Sequence, residues 1–75
     1  MGDERIVDCR GLKCPLPVLR ASRALRAAAP GTVLRVETTD PLAGIDIPNL
    51  VRETGDVLET SHRDGDVAVF RIRKV

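Results

Sequence analysis

Aromatic side chains are nearly absent: Phe70 stands alone, with no Trp or Tyr among the 75 residues. A protein that holds single-stranded nucleic acid by stacking bases on rings would have little to stack them on. Charge of one sign is also scarce, because 12 basic against 11 acidic residues leave a formal net charge of +1. That balance excludes the strongly basic composition of a general phosphate binder. No run approaches the ~20 apolar residues of a membrane-spanning helix. Met1-Gly2-Asp3-Glu4 is acidic and lacks the apolar stretch of a secretory signal, and Ile6 spoils a myristoylation signal beginning at Gly2. Histidine occurs once, at His62, so two cysteines and one histidine fall short of the four ligands of a structural zinc site. The expectation is a cytoplasmic protein with no metal, no cofactor, no membrane segment and no direct nucleic-acid contact. In a reducing compartment its two cysteines read as free thiols, metal ligands or redox groups rather than a structural staple.

What is present makes one domain over residues 1–75, since so short a chain cannot build a second core. Residues 4–8 form a strand candidate, ended by Cys9-Arg10-Gly11. Cys14-Pro15-Leu16-Pro17 opens a helical stretch to about Ala29, because proline is tolerated in the first turn, where its missing N–H has no partner anyway. At 100° per residue, Val18, Ala21, Ser22, Leu25, Ala28 and Ala29 share one face, with Arg20, Arg23, Arg26 and Leu16 on the other side. Pro30-Gly31 stops this helix. Residues 32–39 are rich in β-branched side chains and read as a strand, and Asp40-Pro41 begins a turn. Pro48 argues for a second helix that starts at Asp46 as N-cap and ends at Gly55. Residues 57–63 and 67–74 alternate about Asp64-Gly65, a hairpin signal, with Ala68, Phe70 and Ile72 on one face. The order β-α-β-α-β-β predicts an α+β two-layer sandwich: a four-stranded mixed sheet with both helices on one face.

Cys14 is the candidate reactive group. The first N–H groups of a helix are unpaired and carry partial positive charge, which favours a thiolate there. Lys13 and Arg10 add cationic charge, and Pro15 and Pro17 fix where the helix begins. This reading places the Cys14 pKa below the free-cysteine value of about 8.5, with donors from Leu16 and the residues after Pro17. The alternative is a small buried hydrophobe that happens to precede a helix.

Asp8 to Pro17 (Asp-Cys-Arg-Gly-Leu-Lys-Cys-Pro-Leu-Pro) resembles the signature of the TusA/SirA-type sulfurtransferases. Asp40-Pro41 through Asp46-Ile47-Pro48 resembles a second block of that family, and the element order agrees along essentially the whole chain. The resemblance implies that Cys14 accepts a sulfane sulfur as a persulfide and hands it to a thiol on a partner protein. It implies a donor of the cysteine desulfurase or rhodanese type, and acceptors serving tRNA thiolation, molybdenum-cofactor assembly or sulfur oxidation. A monomer is expected on the same ground. One departure is Asn49-Leu50, where the family often carries an aromatic after Ile-Pro; it bears on packing or partner choice.

Cys9 has two readings: a second thiol that closes a disulfide with Cys14, or a small apolar residue ending the first strand. Arg20, Arg23 and Arg26, with Leu16, form either a docking surface for an acidic partner or a solvated helix face. Asp40 and Asp46 read as turn and N-cap residues, Asp8 as a loop-orienting or strand-ending group, and His62 as a solvated strand residue. Besides the carrier, two other functions fit the chain: a thiol-redox module cycling Cys9 and Cys14, and a non-catalytic interaction domain using the arginine face.

Overall fold

A computed structural model describes residues 4–75. The elements run β1 (Glu4–Cys9), α1 (Leu16–Ala27), β2 (Val33–Thr38), α2 (Ala43–Thr54), β3 (Val57–Asp64) and β4 (Val67–Arg73). The sheet order is β1-β2-β4-β3, with β1 parallel to β2 and the other neighbours antiparallel. The expected mixed sheet and α+β architecture are therefore present.

Period-two alternation builds the core. Leu34, Val36 and Thr38 of β2 face inward and pair with Ile72, Phe70 and Ala68 of β4, so one apolar face spans the central strands. Ala21 and Leu25 of α1, and Ala43, Ile47, Leu50 and Val51 of α2, cover that face. Burying one Leu, Ile or Val side chain contributes about 1.5–3 kcal/mol, and such side chains make up most of this core. The opposite face carries ion pairs, Arg35 to Glu37 at 2.8 Å and Arg71 to Glu4 at 2.7 Å.

Strand ends shift by a residue from the sequence reading, and three boundaries change how it places residues. α1 ends at Ala27; Ala28 turns to an extended ψ of 142°, which leaves Ala29 exposed rather than on the buried face. The hairpin turn is Gly65-Asp66, with Asp64 still paired to Val67 and Gly65 at φ +65°. α2 begins at Ala43, three residues before Asp46. Asp40 sets that start: its Oδ1 accepts from the Leu42 N–H at 3.2 Å and its carbonyl from the Ala43 N–H at 3.1 Å. Pro48 is then the sixth helical residue, so within α2 its missing N–H removes only the bond to the Gly44 carbonyl.

Register places the site. Cys9 pairs level with Thr38, so the β1–α1 loop and the β2–α2 turn leave the sheet at the same end. Residues beyond the carboxyl ends of parallel neighbours converge in this way.

Candidate functional site

The Cys9–Pro15 loop is fixed from several sides. Asp8 accepts from the Arg10 backbone N–H at 3.1 Å and from its Nε and Nη2 at 2.9 and 3.0 Å. These bonds hold the Asp8 carboxyl down at about 2, with the Arg10 side chain the largest cause. The Leu12 N–H closes back on the Cys9 carbonyl at 3.1 Å. Gly11, at φ +80°, adopts a conformation that an L side chain resists. The Cys14–Pro15 peptide bond is cis, and Pro15 is the N-cap of α1.

Cys14 is exposed, so the buried-hydrophobe reading does not describe it. It precedes the N-cap by one residue, but the helix does not direct amides at its sulfur. The Leu16 N–H is taken by the Lys13 carbonyl at 2.9 Å, and Pro15 and Pro17 have none to give. The thiol instead donates to Oδ2 of Asp46 on α2 at 3.4 Å. A carboxylate facing a thiol opposes its ionisation. The expectation of a lowered pKa is therefore corrected: the Asp46 hydrogen bond, then desolvation and the charges of Asp46 and Asp40, push the Cys14 thiol up. The donor atoms of Cys14, Asp40 and Asp46 lie within 4.8 Å of one another, with Asp40 buried and Cys14 open to solvent. Asp46 is thus a partner of the thiol rather than the N-cap; its pairing across 32 residues leaves no local signal in the sequence.

The other candidates divide. Arg10 is committed to Asp8, and Lys13 is an exposed neighbour of the thiol. Pro17 is buried in the core, while Pro15 lines the groove beside Cys14. Leu16 is exposed and joins Leu19, Arg20 and Arg23 around a shallow depression on α1. Leu19 lies outside the residues the sequence reading names; its i, i+3 spacing from Leu16 is the signal that finds it. Arg26 lies in the last turn of α1, far along the helix from Cys14. Cys9 is wholly buried, with its thiol 4.0 Å from the Pro17 carbonyl oxygen. Burial pushes the Cys9 thiol pKa up. His62 is exposed on β3.

A groove of about 320 Å³ opens beside Cys14 between the two helices. Val18 and Leu50 form its apolar floor, and Asp46, Asn49 and Glu53 its polar wall. Of Asn49-Leu50, Leu50 is buried in the core and Asn49 lines the groove.

Comparison with known proteins decides the family. The model of the TusA sulfurtransferases matches residues 5–74. The chain belongs to the TusA family. It is 41% identical over 68 residues to the sulfur carrier protein TusA of Allochromatium vinosum, covering 91% of this chain and 90% of that one. It is 35% identical over 71 residues to the TusA proteins of Pseudomonas aeruginosa and Pseudomonas paraeruginosa, covering 95% of this chain and 90% of each. Among the described residues no helix is long and apolar enough to cross a membrane.

Proposed function

We propose that this TusA-family chain is a sulfur carrier whose working atom is Sγ of Cys14. The observation that carries the reading is an exposed thiol, at the mouth of an open groove, within a chain matched almost end to end by that family. In the loading step a donor persulfide passes its outer sulfur to the Cys14 thiol. The bond between the donor's two sulfurs breaks, the Cys14 S–S bond forms, and the donor is left as a thiol. Unloading runs the same exchange toward a partner thiol. Thiolate fraction, nucleophilicity and access set the rate, and access is the property this site has in full.

The single carrier domain works as a cytoplasmic monomer, with a cysteine desulfurase or rhodanese-like protein as donor. Arg20, Arg23 and the exposed Leu16 and Leu19 offer a docking face beside the thiol. The redox reading is not favoured, since it needs Cys9 as a reactive thiolate and Cys9 is sealed in the core. Intact-mass spectrometry after incubation with a cysteine desulfurase and cysteine tests the proposal. A gain of about 32 Da that survives Cys9→Ser and vanishes in Cys14→Ser is expected. Absence of that gain in the parent protein, or its persistence in Cys14→Ser, overturns it.

A further inference from the structure

The side chains clustered with the Cys14 sulfur are carboxylates rather than the cations expected around it. Asp46 accepts from the thiol at 3.4 Å, and the buried Asp40 carboxylate completes a cluster within 4.8 Å. Glu53 extends the acidic wall along the groove, about two helical turns beyond Asp46 on α2. The positive groups nearby are Lys13, adjacent in the loop, Arg10, which is neutralised by Asp8, and Arg52, whose guanidinium donates to Asn49 of the groove wall at 3.3 Å. Arg20 of α1 acts on Asp8 and Cys9 instead. A thiol so placed meets its reaction partners through a negative field.

We infer that Asp46 is a positioning residue that holds the Cys14 proton in the free protein and selects sulfur donors and acceptors carrying a positive charge beside their reactive sulfur. The inference rests on the reading of Cys14 as the sulfur-bearing residue. A cation brought to Asp46 by the partner withdraws the carboxylate from the thiol, favours the thiolate and anchors the incoming sulfur in the same act. The carrier is held quiet until such a partner arrives.

The test uses the free protein and small disulfides, so it stands apart from persulfide loading. In each exchange the Cys14 thiolate attacks one disulfide sulfur, the S–S bond breaks, and the released thiolate takes up the proton Cys14 lost. Rates are measured for the dication cystamine and for neutral bis(2-hydroxyethyl) disulfide, in the parent and in Asp46→Asn. Their ratio is expected to fall about fivefold in the variant, the size of one unit charge acting over about 4 Å in water. The iodoacetamide pH midpoint of Cys14 is expected to fall as well, and Asp46→Glu to keep the parental ratio. In the parent alone, the ratio should decline as salt shortens the Debye length from about 30 Å to about 3 Å. That series decides the matter if Asp46→Asn fails to fold. A ratio flat in salt, a ratio or midpoint unmoved in a folded Asp46→Asn, or a ratio lost in Asp46→Glu overturns the inference. Failure to load sulfur with these results intact would sink the carrier reading alone.

Discussion

The Gly11 N–H donates to Oγ1 of Thr39 at 2.9 Å, tying the loop that carries Cys14 to the residue just past β2. This bond joins segments 28 residues apart and holds the two connections at the site end of the sheet in one arrangement. Thr39→Val keeps the shape and removes the acceptor, at an expected cost of about 1 kcal/mol. Thr39→Ser should restore most of it. Urea unfolding midpoints of the three proteins provide the check; equal midpoints for parent and Thr39→Val would show that the bond contributes nothing.

Ile47 follows Asp46 on α2 and is fully buried. Its position makes it the anchor that seats the Asp46 turn on the sheet. Ile47→Ala should cost about 2–5 kcal/mol, a large share of the roughly 5–15 kcal/mol that a small domain possesses. Thermal unfolding should show a midpoint lower by about 8 °C or more, given about 4–8 °C per kcal/mol at this size. A shift of only a few degrees would mean that α2 is held chiefly by other contacts.

Asp8 should titrate near pH 2, because Arg10 favours its ionised form. A carboxyl depressed from 3.8 to about 2 in the fold stabilises the protein above its unfolded value. That contribution is lost as pH falls from about 4 toward 2. In Arg10→Ala the midpoint should move back up, and the acid limb of the stability curve should flatten in that window. Carboxyl-carbon chemical shifts followed against pH report both proteins directly.

The two thiols should separate cleanly by access. Iodoacetamide applied to the native protein is expected to label Cys14 alone, with Cys9 reacting only in denaturant. Cys14 labelling should rise late with pH, since Asp46 raises its pKa; in urea the curve should shift to lower pH. The sign for stability follows. A raised folded pKa contributes below the unfolded value of about 8.5 and is lost as pH climbs through the folded one. Two labels on the native protein would place Cys9 at the surface.

Much of this was legible in the sequence, for local reasons. Pro15 and Pro17 mark the start of α1, Gly55 its counterpart at the end of α2, and the β-branched run at 33–38 a strand. Alternation in β4 identifies Ala68, Phe70 and Ile72 as inward before any neighbour is known. The failures are non-local. Asp46 has the chemistry of a cap, and only folding brings its carboxylate against a thiol 32 residues away. Helix-end reasoning about Cys14 overlooks where the amides go, because the Lys13 carbonyl claims the Leu16 N–H first. The early start of α2 depends on the Asp40 turn, which reads locally as a bend rather than as the entry to a helix.

Sheet register also decides how the molecule can be handled. Glu4, Val33, Arg73 and Val57 lie in line across one end of the sheet, while Cys9, Thr38 and Ala68 line up at the other. Glu4 and Arg73 therefore both lie at the end of the sheet remote from the loop bearing Cys14. A fluorophore or a solid support attached beyond β4 is thereby held away from the Cys14 loop, so single-molecule and surface-capture assays can be built with that thiol left accessible.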